Sequence, residues 1–368
     1  MSEQIRIALP SKGRMEGETL DFLAECGLRV HKPNPRQYTA TLPALPGVLV
    51  LFQRARDIPL SVAAGDVDLG ITGYDTLFEA FGEGAQEVIV VHEALGYGEC
   101  QLVLAVPEEW EGVTTVADLA RRSAGRELRV ATKYPQSVSR FLAAHGVSNV
   151  RVVSADGALE SAPIVGYADF IADISSTGTT LHENRLRALD DGLIVRSQAT
   201  LIGNRATLAA RSGVLAATRQ MLEFIEAHLR ARGQYMIFAN MRGASMGDVA
   251  ARVFSQPDLG GLQGPTIAPM ITRQEVGQWW AINIVAHAHK LYEAIRQIRA
   301  IGGSGVVVTP VTYIFEEAPE RYQRLLSALN GGVHEQVVGQ SPERPYPPLP
   351  SPSKARGKGE SPTQSSPL

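Results

Sequence analysis

The chain has 368 residues, with 35 Gly, 22 Pro, 2 Cys and a formal net charge of −3; 44% of it is hydrophobic and 20% charged. That length points to two or three domains. The balance describes a globular protein and offers no basic field that would drive nucleic-acid binding. Cys26 and Cys100 are too few for a disulfide scaffold and have no metal-ligand spacing. No export signal precedes the first apolar strand and no run of 18 apolar residues occurs, so the expectation is a cytoplasmic protein with no membrane contact.

In chain order, Ile5–Leu9 reads as a strand and Gly17–Cys26 as a helix with Leu20, Leu23 and Ala24 on one face. Val48–Phe52, Leu69–Ile71, Val88–Val91 and Gln101–Val106 are apolar runs of strand length. Thr115 with Asp118 three residues on predicts a capping box for a helix into Arg122, and Pro135 suits the first turn of a helix to Ala144. Val150–Val153 and Phe170–Ala172 are further strands. This alternation predicts a largely parallel sheet flanked by helices.

A helix over Gly213–Arg232 leads to a different rhythm: strand 234–240, helix 245–254, strands 266–271 and 279–286, helix 289–301 and strand 305–315. That βαββαβ series is the ferredoxin-like order. A short helix from about Pro319 closes the ordered part. From Ser341 to Leu368 there are 8 prolines and 6 serines with almost nothing large and apolar, which predicts disorder.

Chemistry concentrates in the stretch from Gly157 to Asn184. The strand Phe170–Ala172 delivers Asp173 at its carboxyl end, where open α/β sheets bind ligands. Ser175, Ser176, Thr177, Gly178, Thr179 and Thr180 follow, running into a short helix near Leu181. Hydroxyls and backbone N–H groups so placed can cradle an anion, or they can simply cap the helix. Asp173 and Glu160 suit sugar hydroxyls, directly or through Mg²⁺. Lys12 and Arg14 flank Gly13 in a second strand-to-helix turn, which reads either as a phosphate contact or as a solvated turn. Arg54 and Arg56, with Asp68 and the turn ending at Gly73, look like a cleft wall. His287 and His289 lack a third ligand, and no Walker A, nucleophile-elbow or zinc motif is present.

With Leu9-Pro10-Ser11-Lys12-Gly13-Arg14, Asp66–Gly73 and Glu160–Leu181 in one order, the sequence resembles ATP phosphoribosyltransferase, the first enzyme of histidine biosynthesis. Gly264-Pro265-Thr266-Ile267-Ala268-Pro269 resembles the regulatory domain of its long form. The resemblance implies an α/β, two-lobed, type II periplasmic-binding-protein-like catalytic core plus a C-terminal ferredoxin-like domain. Lobe I would be 1–98 and 190–212, lobe II 99–189, the regulatory domain 233–316 and the tail 331–368.

The implied reaction joins N1 of ATP to C1 of phosphoribosyl pyrophosphate (PRPP) with Mg²⁺ and releases pyrophosphate. By resemblance, Ser176, Thr177, Gly178, Thr179 and Thr180 hold the 5-phosphate, Asp173 takes ribose hydroxyls, and Glu160 orients the ribose or its metal. Lys12 and Arg14 face the pyrophosphate or the nucleotide phosphates. Histidine as inhibitor would meet Thr266, Ala268 and Gly305, and a homo-oligomer, hexamer or dimer, is implied. Two other classes share parts of this pattern. A solute-binding protein would have the same lobes, and a silent regulatory paralogue would lack an intact Asp173–Thr180 stretch.

Overall fold

In this computed structural model, which describes residues 4–34, 36–155, 157–176, 179–271 and 278–331, the chain opens on strand β1 (Ile5–Pro10) and turns into helix α1 (Gly13–Glu25). The helix starts at Gly13, not Gly17, because Gly13 at φ +70° lets the chain turn straight out of the strand. There follow β2 (Thr39–Thr41), β3 (Val48–Gln53), α2 (Ile58–Ala64), β4 (Leu69–Gly73), α3 (Tyr74–Phe81) and β5 (Val88–His92).

The chain then crosses through Gly96–Gly98 into a second sheet. This lobe holds β6 (Cys100–Pro107), α4 (Val116–Gly125), β7 (Leu128–Thr132), α5 (Pro135–Ala144), β8 (Val150–Ser154), α6 (Ala162–Val165), β9 (Phe170–Ser175), α7 (Thr179–Glu183) and β10 (Leu186–Ser197). It returns at Gln198 to β11 (Ala199–Asn204), which inserts between β4 and β5 of the first sheet.

The sheets are ordered β2-β3-β1-β4-β11-β5 and β10-β6-β9-β7-β8. Only part of each is parallel: β1 with β3 and β4, and β7 with β8 and β9. The remaining pairs, including every one made by β6, β10 and β11, are antiparallel, so the largely parallel sheet expected from sequence is corrected to two mixed sheets. The strands next to the crossings must run against their neighbours, because the chain leaves and re-enters each lobe at one side. Each lobe has its own core. Ile7, Leu9, Val50, Leu69 and Leu201 are buried in the first, and Leu104, Val130, Phe170 and Ala172 in the second. Each such large side chain contributes about 1.5–3 kcal/mol by leaving water.

Beyond α8 (Arg205–Ala210), the long helix α9 (Ser212–Ala231) leads to β12 (Gln234–Arg242), α10 (Met246–Phe254), β13 (Thr266–Pro269), β14 (Trp279–His287), α11 (Leu291–Ala300) and β15 (Gly303–Pro310). The antiparallel order β13-β14-β12-β15 is ferredoxin-like, over a core of Ile237, Val249, Val253, Ile282, Ile284 and Ile298. The last strand stops at Pro310 instead of reaching 315. Helix α12 (Glu320–Leu329) packs back on the first lobe, burying Leu325 there. Its first amides, those of Glu320 and Arg321, donate to the Glu226 carboxylate at 3.0 Å each. The Pro/Ser segment from Ser341 lies outside the described residues.

Candidate active site

Three parallel strands, β8, β7 and β9, end side by side in the second lobe. The register pairs Thr132 with both Ser154 and Ala172, so Lys133 and Asp173 follow on adjacent strands where β7 ends; β9 itself runs on against β6 to Ser175, past the end expected at Ala172. Asp173 Oδ1 accepts from the backbone N–H of Ile174 at 2.8 Å. Burial pushes its carboxyl above the ordinary range; the Ile174 amide and the Lys133 charge pull it down, and Glu160 adds to the push. The structure thus gathers Asp173, Glu160 and Lys133 in one neighbourhood.

Glu160 stands on a 3₁₀ turn, Leu159–Ser161, entered through Ala158 in the left-handed region at φ +45°. An alanine there is strained and persists only because its surroundings hold it; the Ala158 carbonyl accepts from the Ser161 hydroxyl at 2.7 Å and its amide at 3.1 Å. Beyond β9, Ser176, Thr179 and Thr180 are exposed residues, while Thr177 and Gly178 lie outside the described residues.

Across from these strands, the first lobe presents the carboxyl ends of β1, β3 and β4. The Ser11 amide donates to the Gln53 carbonyl at 2.8 Å, which fixes the Lys12 turn beside Arg54. Lys12 is exposed and makes no ion pair among the described residues. Arg14 is exposed as well, but its Nε is 3.0 Å from Glu18 Oε1 one helical turn on, so this cation arrives already paired.

Four residues that sequence reasoning passed over join the lobes. Tyr134 donates its hydroxyl to Asp75 Oδ2 at 2.6 Å, and Ser197 donates to Asp75 Oδ1 at 2.6 Å. Burial, with the Asp75 charge behind it, pushes the Tyr134 hydroxyl far above its usual value, so it stays a donor. Glu79, one turn along α3, accepts from the Gln136 and Ser137 amides at 2.8 Å each and from the Ser137 hydroxyl at 2.6 Å. A carboxylate of one lobe therefore caps a helix of the other. Thr132-Lys133-Tyr134 running into Pro135 was the available signal: a strand end leading directly into a helix with a cation and an aromatic between.

The hinge carries its own constraints. Gly98, at φ +69°, leaves room for Met15, whose Cε would lie 3.3 Å from a Cβ there. Arg232, at the entry to the third domain, donates from Nη1 to the Gly96 carbonyl at 3.0 Å. In that third domain, Thr266 and Ala268 are exposed on edge strand β13, whereas Gly305 lies on the opposite edge strand β15. Gly305, at φ +59°, sits at a register shift between β12 and β15, where a Cβ would come 2.9 Å from Asn240 Nδ2. Two strands intervene, so about 14 Å separates the two edges and one chain does not bring these residues together.

The carboxylates suit a hard divalent cation. Among the described residues no group of three or more His, Cys, Asp or Glu forms a metal cage. Asp173 with Glu160 instead fits a cation held by one or two carboxylates and completed by substrate phosphates, the habit of Mg²⁺.

Two mixed α/β lobes crossed twice by the chain, with an appended ferredoxin-like domain, define a two-lobed, periplasmic-binding-protein-like class of fold with a C-terminal domain. Comparison with known proteins places it. The family model described as ATP phosphoribosyltransferase matches residues 54–227, and the C-terminal domain of that family matches 231–313. ATP phosphoribosyltransferase 2, chloroplastic, of Arabidopsis thaliana is 46% identical over 335 residues, covering 89% of this chain and 81% of that protein. ATP phosphoribosyltransferase of Nitrobacter winogradskyi is 33% identical over 336 residues, covering 88% and 98%. Among solved structures, the ATP phosphoribosyl transferase (HisG:HisZ) complex from Thermotoga maritima aligns with 60% of this chain and 98% of that one, at 26% identity and a TM-score of 0.48.

The chain belongs to the ATP phosphoribosyltransferase family, in the long form that carries the C-terminal domain. It transfers the phosphoribosyl group of PRPP to N1 of ATP, the first step of histidine biosynthesis, in a reaction that generally needs a divalent metal. No helix among the described residues is long and apolar enough to cross a membrane.

Proposed function

We propose that PRPP binds on the second lobe, its ribose hydroxyls on Asp173 and its 5-phosphate among the hydroxyls of Ser176, Thr177, Thr179 and Thr180 with the backbone at Gly178. The observation that carries this reading is the placement of Asp173 just past the last residue that pairs β9 with the parallel strand β7, with a run of Ser and Thr residues following it in the chain. Glu160 stands beside Asp173 to orient the ribose. The metal is Mg²⁺, held through Glu160, Asp173 and the substrate; when bound it offsets the charge that grows on pyrophosphate.

ATP enters from the first lobe, where Lys12 and Arg14 meet phosphate oxygens. The N1 lone pair forms the bond to C1 as the C1–O bond breaks, and that electron pair leaves with pyrophosphate. No protein base is needed for this step. The protein's part is to hold N1 in line with C1 and to present fixed donors to the departing charge.

Histidine acts as feedback inhibitor through the third domain. Because Thr266 and Ala268 lie on one edge strand and Gly305 on the other, they serve a single site only when a second copy of the chain supplies the other half. The working form is accordingly a homo-oligomer, a dimer or a hexamer. The composition and the lack of an apolar span support a cytoplasmic setting with no nucleic-acid partner.

The test is Asp173→Ala. Pyrophosphate release with ATP, PRPP and Mg²⁺ should fall at least a hundredfold at an unchanged melting temperature. Full activity in a normally folded variant would remove Asp173 from the site.

A further inference from the structure

The register of the second sheet puts a cation beside the ribose position. Lys133 follows Thr132 as Asp173 follows Ala172, on adjacent parallel strands, and it is near enough for its charge to act on the Asp173 carboxyl. It is exposed and makes no hydrogen bond or ion pair of 4 Å or less among the described residues. Its backbone, in contrast, is fixed on both sides. The Thr132 carbonyl accepts from the Ala155 amide at 3.1 Å, and the Tyr134 amide donates to Thr132 Oγ1 at 3.0 Å. The buried Tyr134 ring is tied to Asp75 of the other lobe, and the helix that follows is capped by Glu79. A free ammonium on a rigid turn at the boundary between lobes is an arrangement suited to holding an anion.

The topology says which anion. In the order β10-β6-β9-β7-β8, the hydroxyl-bearing segment after Asp173 leads into α7, which packs on β10. Lys133 comes from β7, on the other side of β9. With the ribose on Asp173, the 5-phosphate lies toward α7 and the C1 substituent toward Lys133.

We infer that Lys133 is a substrate-binding cation of the transfer reaction that holds the pyrophosphate group of PRPP. It pairs with the phosphate oxygens in the bound substrate and meets the charge that arrives on them as the C1–O bond breaks. This rests on the assignment of the ribose to Asp173.

The experiment compares Lys133→Met, Lys133→Arg and Asp173→Asn in the full chain. A hydrogen bond to a charged partner is worth about 1.5–3 kcal/mol, so Lys133→Met should lower kcat/KM for PRPP roughly 10- to 150-fold. Product inhibition by pyrophosphate should weaken by a similar factor, while competitive inhibition by ribose 5-phosphate, which lacks the pyrophosphate, should stay within about twofold. Lys133→Arg should recover most of the loss. Unchanged pyrophosphate inhibition in Lys133→Met overturns the inference, and so does an equal loss for ribose 5-phosphate, which would put the lysine at the other end of the sugar. If Asp173→Asn uses PRPP normally, the ribose assignment itself fails, whatever the lysine does.

Discussion

Replacing Glu79 by Ala should separate the lobes energetically. The carboxylate makes three hydrogen bonds across the boundary: two from the first amides of α5 at 2.8 Å and one from the Ser137 hydroxyl at 2.6 Å. Loss of a helix cap costs about 0.5–2 kcal/mol. Ser137 is fully buried, and its hydroxyl would also lose its acceptor, a further cost of about 1–2 kcal/mol. The total is about 1.5–4 kcal/mol out of the roughly 5–15 typical of a folded protein. At about 2 °C per kcal/mol for a chain of this size, the melting temperature should fall by roughly 3–8 °C. Glu79→Gln keeps one acceptor oxygen and should lose about half as much, and Glu79→Asp should fall between. Because α5 follows directly on the Lys133 turn, kcat should fall in the same order as stability. Thermal melts and steady-state kinetics on the four proteins check this. A melting temperature within 1 °C of the parent in Glu79→Ala would show that the cap contributes nothing and that the lobes are held elsewhere.

His92 is buried with no exposure, and burial, reinforced by Arg321 and Arg324, holds its imidazole down to about 3. The unfolded chain takes up that proton near pH 6.5, so stability should be fullest above 6.5 and decline by on the order of 4 kcal/mol as pH falls toward 3; urea melts of His92→Gln should show a flatter profile over that window. Lys12→Ala should lower kcat/KM more than Arg14→Ala, whose guanidinium is engaged by Glu18, and the reverse ranking would mean that the ion pair opens in the working enzyme. Arg232→Ala cuts the side-chain hydrogen bond from the entry of the third domain to the hinge carbonyl of Gly96. Histidine inhibition should weaken several-fold with uninhibited turnover largely retained, and unchanged inhibition would place the coupling route elsewhere.

Local signals in the sequence were read correctly where the local chain decides the outcome. The capping box at Thr115 and Asp118 forms with both of its bonds, and the helix at Pro135 runs to Ala144. The ferredoxin-like series was legible because each strand alternates and each helix is bounded by polar turns. Strand direction was not. Leu186–Ser197 contains Asp190, Asp191 and Gly192 and pairs with β6 through two register shifts, and nothing within it tells that it runs antiparallel. The candidate site divides in the same way. Asp173 and the hydroxyl run announce themselves by lying at a strand end. Asp75 and Glu79, spaced four apart on an amphipathic helix, look like an ordinary solvated face until the second lobe is docked on it.

The acidic residues differ in what they are free to do. Asp75 is occupied by Tyr134 and Ser197, and Glu79 by the start of α5. Asp191 accepts from the Val116 amide at 2.7 Å, and Glu226 holds α12. Each of these carboxylates is committed to a helix end or a buried hydroxyl, and swapping partners for a sugar would leave a buried donor unpaired at a cost of about 1–3 kcal/mol. Asp173 and Glu160 differ. Among the described residues, the first bonds only the amide of the next residue and the second makes no hydrogen bond. The Asp173 carboxyl, pushed toward its neutral form by burial and to a lesser degree by the Glu160 charge, loses that penalty when a cation or a set of hydroxyls arrives. Asp75 and Glu79 tie the lobes together, whereas Asp173 and Glu160, in the proposed site, are left with bonds still to make.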